Sequence, residues 1–192
     1  MVLPTDTVYG VGTRPDDPAA TAGLFALKGR PEDLELPVLV PSLGAARTIA
    51  AFDERASALA GRCWAGPLTL VLPRTETSRG WELGGDEETV GVRMPHHPLA
   101  LAVLARTGPL AVTSANRSGK PTPSTCDGVL AVFGDRVAVY LCDESPLEGA
   151  ASTVVDLAHA EPRFLRVGAL ATNDILSALD GIQGGFGRKS EV

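Results

Sequence analysis

Short apolar runs alternate along the chain with segments of helical composition, and this alternation limits the folds that the chain can adopt. The runs lie at residues 36–40, 68–72, 89–94, 110–113, 137–142 and 153–157, and several of them are bounded by proline. Runs of this length favour buried strands over helices. Segments with helical signals lie at residues 16–28, 43–62, 97–106, 124–133 and 173–179. The pattern predicts a mixed α/β fold, in which helices flank a sheet.

The amino-terminal stretch is harder to assign to an element. Val2 and Leu3 are followed at once by Pro4, which leaves too few residues for a strand of ordinary length. Residues 4–12 (PTDTVYGVG) then predict a loop that is rich in hydroxyl groups and contains two glycines. Such a loop can present donors to a small polar ligand, or its side chains can satisfy its own backbone. On this segment alone, we favour the second interpretation.

Length and charge exclude several classes of protein. A chain of 192 residues with a mass of 19.9 kDa fits one domain with one core. The formal net charge of −6 argues against a broad electrostatic surface for nucleic acid, although a small basic pocket is compatible with it. No apolar run is long enough to cross a bilayer, and no secretory signal precedes Pro4. We therefore expect a cytoplasmic protein with no membrane partner.

Cysteine and histidine give little sign of cross-links or metals. Cys63, Cys126 and Cys142 are odd in number and widely spaced, which predicts reduced, buried thiols rather than a disulfide framework or a CxxC metal site. His96 and His97 are adjacent, with no cysteine or carboxylate at ligand spacing. We expect no metal site that is formed by protein side chains alone.

Lys28 and Arg30 flank Gly29 at the end of the first predicted helix, and Pro31 helps to end it. Cations at this position complement the helix dipole, which is the commoner, structural role. The same pair can act as an anion clamp, because an ammonium and a guanidinium held close together bind phosphate, carboxylate or bicarbonate oxygens. Both interpretations stay open on this motif alone.

A second polar cluster, residues 113–122 (TSANRSGKPT), follows a predicted strand. Loops at the carboxyl ends of strands are where open α/β sheets place their ligands, so this cluster is a candidate binding loop, although a polar turn would look similar. It is not a P-loop, because the GxxxxGK[ST] spacing is absent, and Ser114 is not in a GxSxG nucleophile elbow. Polar residues also stand at other strand ends, namely Arg93, Ser152 and Arg166.

Taken together and in this order, several separated motifs resemble the YrdC/Sua5/TsaC family, the threonylcarbamoyl-AMP synthases. The motifs are PTDTVYGVG (4–12), LKGRP (27–31), WAGPLTLVLP (64–73), VGVRMPHHP (90–98), VTSANRSGKPTP (112–123), STVVDL (152–157) and RVGAL (166–170). The resemblance implies a YrdC/RibB-like fold, a twisted mixed sheet with a deep, basic cavity. It implies one domain over residues 1–170, followed at 171–192 by a helix and a tail that frays from Gly181.

The resemblance also implies a reaction. L-threonine, bicarbonate and ATP would give L-threonylcarbamoyl adenylate and pyrophosphate, with Mg²⁺ accompanying ATP as the cofactor. The enzyme would be a nucleotidyltransferase, and its product would feed a transferase complex that modifies an adenosine next to the tRNA anticodon. A weak contact with tRNA or double-stranded RNA is compatible with this role.

Site residues follow from the motif positions that the resemblance covers. Lys28 and Arg30 would act in catalysis and hold bicarbonate and triphosphate oxygens. Threonine would be bound by Thr5, His97 and Ser152. ATP would be bound by Lys28, Arg30, Arg93, Ser114, Asn116, Thr122 and Arg166. Tyr9 would form a wall of the pocket, and Thr69 is a further candidate.

The chain departs from the family pattern at two places. Leu36 and Pro41 stand where relatives place an asparagine and a histidine, so a polar contact near the substrate is absent. The helix and most of the strand that relatives place before PTDTVYG are also missing. Three alternatives follow: an enzyme for another small molecule, a non-catalytic RNA-binding protein, and a truncated, inactive paralogue. The low aromatic content of 5% disfavours the RNA-binding alternative.

Overall fold

Residues 1–147 and 149–183 are described in a computed structural model of the chain, and their strands form one eight-stranded sheet. The strands are β1 (Val2–Leu3), β2 (Gly10–Thr13), β3 (Val38–Leu39), β4 (Leu68–Pro73), β5 (Thr89–Arg93), β6 (Leu110–Ser114), β7 (Thr153–Asp156) and β8 (Arg163–Arg166). The helices are α1 (Pro18–Lys28), α2 (Leu43–Ile49), α3 (Glu54–Cys63), α4 (Pro98–Thr107), α5 (Cys126–Phe133) and α6 (Thr172–Gln183). A short 3-10 turn, Gly134–Arg136, follows α5. The predicted mixed α/β class is confirmed.

The strands lie in the order β1-β2-β6-β3-β5-β4-β7-β8. The pairs β3–β5 and β4–β7 are parallel, and the other neighbouring pairs are antiparallel. Strands that are distant in sequence are therefore neighbours at the centre of the sheet. Because successive side chains of a strand point to opposite faces, the register decides which residues lie on each face.

The two faces of the sheet are covered unequally. One face packs against α1, α2, α3, α5 and α6 and forms the larger core. The other face carries a smaller core, in which Ala100 and Leu104 of α4 pack with Leu39, Leu110 and Val112. Because α4 covers only the β1, β3 and β6 part of this face, the part formed by β5, β4 and β7 is left open.

Helix α1 begins and ends where its sequence dictates. The Asp17 carboxylate caps the first turn by accepting a hydrogen bond from Ala20 N at 3.1 Å. At the other end Gly29 has a φ of +60°, and the amides of Gly29 and Arg30 donate to carbonyls of the last turn. Glycine adopts this left-handed conformation without strain. The turn separates its two cations: Lys28 is buried in the protein, whereas Arg30 is half-buried at the open face.

The amino-terminal segment is more regular than predicted. Val2 and Leu3 pair with β2, so even this short strand joins the sheet at its edge. The loop predicted over residues 4–12 is also wrong in its second half, because β2 begins at Gly10. A Cβ atom at Gly10 or Gly12 would lie 2.5 Å or 2.6 Å from the Val112 side chain on β6. The absence of side chains at these glycines lets the Val112 side chain pack directly against the backbone of β2. Because glycine is typical of loops, the sequence does not indicate a strand here.

Three other predicted elements differ from the structure. Residues 43–62 form two helices rather than one, because Asp53 caps a new helix and accepts a hydrogen bond from Ala56 N at 2.8 Å. Residues 137–142 form no strand; Tyr140 alone makes an isolated bridge, to Val2. Strand β8 was not predicted, since its sequence RFLR lies mostly exposed at the sheet edge and lacks an apolar signal.

The prediction of three reduced thiols is wrong for two of the cysteines. Cys126 and Cys142 form a disulfide across a sequence separation of 16 residues. The fold brings the start of α5 and the segment after the 3-10 turn together, with a Cα–Cα distance of 5.4 Å that a disulfide spans. Cys63 is free. Sequence spacing could not reveal this juxtaposition.

The carboxyl-terminal helix is longer than the predicted 173–179, since α6 extends to Gln183 and packs beside α3. The tail that was predicted to fray from Gly181 is helical through Gln183, and from residue 184 it lies outside the described residues. No helix in the described part of the chain is both long and apolar enough to cross a membrane.

Candidate active site

A cavity of about 650 Å³ opens on the sheet face that α4 leaves uncovered. Its floor consists of two neighbouring rows of residues, where a row is a set of residues that pair across adjacent strands on this face. The first row contains Arg93, Thr69, Val154 and Arg166, and the second contains Gly91, Val71 and Asp156. The loop after α1 and the loop before β2 contribute its walls. A cavity of this volume is large enough for a nucleotide-sized ligand.

Seven of the ten predicted site residues line this cavity: Thr5, Arg30, Arg93, Ser114, Thr122, Ser152 and Arg166. The other three, Lys28, His97 and Asn116, do not contribute to its lining. Tyr9 and Thr69 lie in the wall and the floor. The fold therefore gathers side chains from both ends of the sequence around one space.

Arg93 is a buried positive charge at the end of β5. Its Nε donates to the Gly66 carbonyl at 3.0 Å, its Nη1 to Thr7 Oγ1 at 3.0 Å and its Nη2 to Asp6 Oδ1 at 2.6 Å. Burial lowers the pKa of Arg93, the Asp6 carboxylate opposes this, and the positive charge of Arg166 lowers the pKa further. A guanidinium nevertheless stays charged near neutral pH, so the floor carries a fixed cation.

Arg30 and Arg166 add two guanidinium groups to the same cavity. Arg30 donates from Nε to the Leu34 carbonyl at 3.1 Å and from Nη2 to the Glu35 carbonyl at 2.9 Å, which orders the loop after α1. Burial lowers the pKa of Arg30, and the positive charge of Arg166 lowers it again. Arg166 thus repels both Arg30 and Arg93, and an anion among the three groups would relieve that repulsion.

Arg166 also fixes a hydroxyl pair at the edge of the floor. Its Nε donates to the Ser152 carbonyl at 2.8 Å and its Nη2 to Ser152 Oγ at 2.9 Å. The Ser152 and Thr69 hydroxyls hydrogen-bond to each other at 2.9 Å. Both residues are buried, so this chain of polar groups holds its hydroxyls in place beside the cavity.

Thr5 lies at the wall, but its hydroxyl is already used within its own turn. Thr5 Oγ1 accepts hydrogen bonds from the amides of Thr7 and Val8, at 3.2 Å and 3.3 Å, and donates to the Val8 carbonyl at 2.6 Å. Thr7 Oγ1 lies 2.9 Å from Thr5 Oγ1 and accepts from Arg93. The turn therefore satisfies its own backbone and also borders the cavity, so both sequence interpretations describe part of its role.

Lys28 fastens α1 to the loop after β6. Its Nζ donates to the Asn116 carbonyl at 2.8 Å, to Asn116 Oδ1 at 3.0 Å and to the Ser114 carbonyl. These acceptors use all three donors of the ammonium. Burial, with the charge of Arg30 as a smaller cause, lowers the pKa of Lys28 to about 8. Because Lys28 is only 2% exposed, it supports the binding loop from below rather than facing the cavity.

The loop that Lys28 supports is organised by Asn116. Ser114 Oγ donates to Asn116 Oδ1 at 2.6 Å, and Asn116 Nδ2 donates to the Lys120 carbonyl. Asn116 is buried, whereas Ser114 and Thr122, which line the cavity, are partly exposed. The amide thus holds the loop's shape, and the two hydroxyls remain at the surface that a ligand would touch.

His97 precedes α4 and lies apart from the cavity lining. Its Nε2 lies 2.9 Å from Asp143 Oδ2, and its buried Nδ1 has no hydrogen-bond partner among the described residues. The Asp143 amide in turn donates to Tyr9 Oη at 2.9 Å. His97 therefore braces the segment that covers Tyr9.

Four acidic residues of the lining were not predicted from the sequence: Asp33, Glu35, Asp86 and Asp156. Asp6, which pairs with the buried Arg93 and also accepts from the His96 amide at 2.9 Å, was likewise missed. Asp6 and Asp156 lie inside the recognised motifs, so their charge and their motif positions could have identified them as site residues. Asp33, Glu35 and Asp86 carry no such signal, because they lie in loops outside the motifs and only the fold brings them to the cavity.

The two departures from the family pattern fall outside the cavity. Leu36 is fully buried in the larger core, and Pro41 is not among the lining residues. Neither position therefore contributes a side chain to this cavity, and the effect of the two departures on substrate binding stays a prediction. Between residues 28 and 41, the residues that do line the cavity are Arg30, Asp33, Leu34, Glu35, Pro37 and Leu39.

Comparison with known proteins decides the family. A family model described as "Sua5_yciO_yrdC: Telomere recombination" matches residues 1–168. The chain belongs to the Sua5/YciO/YrdC family. A protein of Mycobacterium tuberculosis (strain ATCC 25618 / H37Rv) is 42% identical over 181 residues, which cover 93% of this chain and 82% of that protein. The resemblance that the motifs indicated is thereby confirmed.

Two relatives from Pyrococcus abyssi add a name and a structure. A protein named threonylcarbamoyl-AMP synthase is 38% identical over 177 residues, 91% of this chain and 52% of that protein. The crystal structure of P. abyssi Sua5 complexed with L-threonine has a TM-score of 0.84 at 36% identity, over 93% of this chain and 53% of that one. The chain therefore spans about half the length of these P. abyssi proteins.

The family fold is also found in a shorter neighbour. The structure of E. coli YciO matches with a TM-score of 0.77 at 25% identity, and the match covers 91% of this chain and 85% of that chain. The architecture around the cavity thus extends over most of a protein that is close to this chain in length. The predicted YrdC-like fold is confirmed.

Proposed function

We propose that this Sua5/YciO/YrdC-family chain is a threonylcarbamoyl-AMP synthase, a nucleotidyltransferase that forms L-threonylcarbamoyl adenylate and pyrophosphate from L-threonine, bicarbonate and ATP. The observation that carries the proposal is the convergence of Arg30, Arg93 and Arg166 on one cavity that also contains polar, hydrogen-bonded hydroxyls. The names of family relatives support the same reaction. ATP and bicarbonate bring several negative charges, which this cationic cluster suits.

The three guanidinium groups would hold the phosphates and the bicarbonate. Each is already oriented by protein acceptors, so little reorganisation is needed when the anions bind. The threonine amine and bicarbonate would form a carbamate, and an oxygen of this carbamate would then displace pyrophosphate from the α-phosphorus of ATP. Positioning and charge neutralisation would supply most of the rate enhancement in such a transfer.

Threonine would occupy the part of the cavity near Thr5, Ser152 and Thr69. The Ser152–Thr69 hydroxyl pair is buried and fixed by Arg166, which allows it to recognise the substrate hydroxyl or carboxylate. A site built around fixed polar groups discriminates against analogues that leave those groups unpaired. We assign His97 to bracing Asp143 and Tyr9 rather than to direct contact with threonine.

The loop after β6 would contact the nucleotide through Ser114 and Thr122, which line the cavity. Lys28 and Asn116 would act by holding this loop in place. This division differs from a direct anion clamp by Lys28, because the ammonium of Lys28 is fully occupied by protein oxygens.

Mg²⁺ would enter the site together with ATP, bound mainly by phosphate oxygens. In the described part of the chain, no three His, Cys, Asp or Glu residues are grouped to hold a metal ion. The carboxylates of the cavity wall are available to accept hydrogen bonds from the water molecules of a hydrated ion. When bound, Mg²⁺ would neutralise charge on the leaving pyrophosphate.

We place the reaction in the cytoplasm, where the product would pass to the transferase complex that modifies tRNA. Any contact with tRNA would be weak, since the chain has a net charge of −6. The disulfide between Cys126 and Cys142 is unusual for that compartment, and its redox state there can be measured by alkylating thiols in cell extracts.

The test is threonine-dependent pyrophosphate release by the purified chain with ATP, Mg²⁺ and bicarbonate. We expect release with threonine and much less with serine, which lacks the methyl group. Arg30→Ala should reduce turnover at least a hundredfold, whereas Arg79→Ala removes an exposed arginine that does not line the cavity and should change little. Equal release with both amino acids, or none, would contradict the assignment.

Non-catalytic RNA binding is the alternative from another class. It would give tRNA binding without threonine-dependent pyrophosphate release. An inactive, truncated paralogue would give neither activity. The same assay therefore separates all three.

A further inference from the structure

The cavity carries opposite charges on its two neighbouring rows. Arg93 and Arg166 lie on the first row, and Asp156 lies on the second, two residues further along the strands. Two residues of a strand span about 6–7 Å. A small zwitterion, with a carboxylate at one end and an ammonium at the other, fits between rows of opposite charge. The residues of the second row have no role in the proposed function so far.

Glu35 reaches over this second row from the loop after α1. Its Oε1 accepts a hydrogen bond from Gly91 N at 2.9 Å. The other carboxylate oxygen has no hydrogen-bond partner among the described residues, and Glu35 lines the cavity. One oxygen is thus fixed to the sheet, and the second is left for a ligand.

The surroundings of Glu35 hold it firmly. Arg30 Nη2 binds the Glu35 carbonyl at 2.9 Å, so the cation and the carboxyl are presented by the same loop. Gly85 has a φ of +66°, and a Cβ atom there would lie 2.9 Å from Glu35 Cβ, which shows how closely the neighbouring loop packs. The carboxyl group is therefore confined beside the cavity and does not extend into bulk solvent.

Charged groups on each packed element act on this carboxyl. Burial, with smaller contributions from Asp86 and Asp156, raises the pKa of Glu35 to about 7, although the Gly91 amide and Arg74 oppose the shift. Asp33 and Arg30 lie on its own loop, and His159, Arg93 and Arg166 also line the cavity. A carboxyl group in this range can both take up and release a proton near neutral pH.

We propose that Glu35 accepts the proton that the α-ammonium of the amino-acid substrate must lose before the carbon–nitrogen bond forms. The inference rests on the proposed function. In this step the ammonium N–H bond breaks, its electron pair stays on nitrogen, and the Glu35 carboxylate becomes a carboxylic acid. The neutral amine then bonds to the carbon of bicarbonate, and the C–OH bond breaks. The hydroxide leaves as water with the second amine proton, and the product is the carbamate.

The geometry gives each end of the substrate a partner. The substrate carboxylate would face the arginines of the first row, and its ammonium would face Asp156 of the second row. The free oxygen of Glu35 is then on the side of the cavity where the ammonium would lie. Asp86 and Asp156 would add electrostatic attraction for the ammonium without the hydrogen-bonded placement that Glu35 has.

Glu35→Gln is the variant that separates these roles, because an amide oxygen can still accept the hydrogen bond from Gly91 N but cannot take the proton. We expect kcat near pH 7.5 to fall by about 10²-fold, the order that a general base contributes. The KM for threonine should change far less, and Glu35→Asp should recover part of the rate. Glu32→Gln, an exposed acid on the same loop that does not line the cavity, is the matched control and should leave kcat unchanged.

The pH profile gives the readout that a structural role would not move. Bicarbonate and the threonine amine also titrate, so the informative quantity is the ratio of wild-type to Glu35→Gln rates between about pH 6 and pH 9. That ratio should fall as the pH drops below about 7, the pKa of Glu35. Carbon-13 NMR of labelled glutamate should detect the same titration in the unmodified chain, which keeps the test independent of how the variant folds.

A constant ratio over this range, or the absence of a glutamate carboxyl that titrates between about pH 6 and pH 8, would overturn the role of Glu35 and leave the proposed function standing. No threonine-dependent pyrophosphate release by the unmodified chain would overturn both. The two failures are therefore distinguishable.

Discussion

Replacing Lys28 with methionine removes a buried ammonium but keeps a side chain of similar length. Three oxygen atoms, the Ser114 carbonyl, the Asn116 carbonyl and Asn116 Oδ1, would lose their charged donor. Hydrogen bonds to charged groups contribute roughly 1.5–3 kcal/mol each, but they are not additive, and the variant also escapes the cost of burying the charge. We therefore expect the free energy of unfolding to fall by about 3–5 kcal/mol, as when one partner of a buried pair is removed.

The loss should be visible as a lower melting temperature. For a chain of this size each kcal/mol corresponds to roughly 2–4 °C, so Lys28→Met should melt about 6–20 °C lower. Lys120→Met is the control, since Lys120 lies on the same loop with an exposed side chain. Isothermal titration calorimetry should also show weaker ATP binding by Lys28→Met, because Ser114 loses its support.

Two results together would show that Lys28 does not act by supporting the loop. If Lys28→Met melts within about 2 °C of the unmodified chain and yet loses turnover, the ammonium acts on the ligand and not on the loop. A direct anion clamp would then replace the supporting role derived from the hydrogen bonds.

Three further predictions follow from buried groups elsewhere in the chain. Asp6→Ala leaves the buried Arg93 without its carboxylate, and urea unfolding should show a loss of about 3–5 kcal/mol. Reducing the Cys126–Cys142 disulfide, which closes a separation of 16 residues, should cost about 3 kcal/mol, measured by melting with and without reductant. Glu35→Gln should be more stable than the unmodified chain above pH 7, by on the order of 2 kcal/mol, and equally stable below about pH 4. The pKa of Glu35 is raised to about 7 in the folded chain, so ionising this carboxyl group costs free energy there but not in the unfolded chain. The unmodified chain therefore loses stability as the pH rises from about 4.5 through 7, and Glu35→Gln does not. Unchanged unfolding curves in any of the three cases would contradict the corresponding contact.

Sequence patterns predicted the central strands well because almost every residue of these short runs is buried in the protein. Strands β4 and β5 correspond to the runs at 68–72 and 89–94, and residues such as Leu70 and Val92 are fully buried. The edges were predicted poorly. Strand β8 is exposed and charged, and β2 contains two glycines, at which a Cβ atom would clash with the Val112 side chain.

The site shows the same division between local and long-range information. The motifs identified nine of the lining residues, Tyr9 and Thr69 included, since those side chains lie within the recognised segments. Sequence could not show that Lys28 faces away from the cavity, because the separation of Lys28 and Arg30 depends on the left-handed turn at Gly29. Glu35 became a candidate only through the fold, which brings its carboxyl group to the Gly91 amide at the cavity, and the Cys126–Cys142 pair only through the packing of α5.

The central claim is that one cavity joins a nucleotide, an amino acid and a one-carbon anion. It is tested most directly by incubating the purified chain with unlabelled ATP, tritiated threonine and carbon-14 bicarbonate, and then isolating the nucleotide products. We predict one adenylate that contains both labels in equal amounts and that is absent with Arg30→Ala. Consumption of ATP without any product containing both labels would contradict the account.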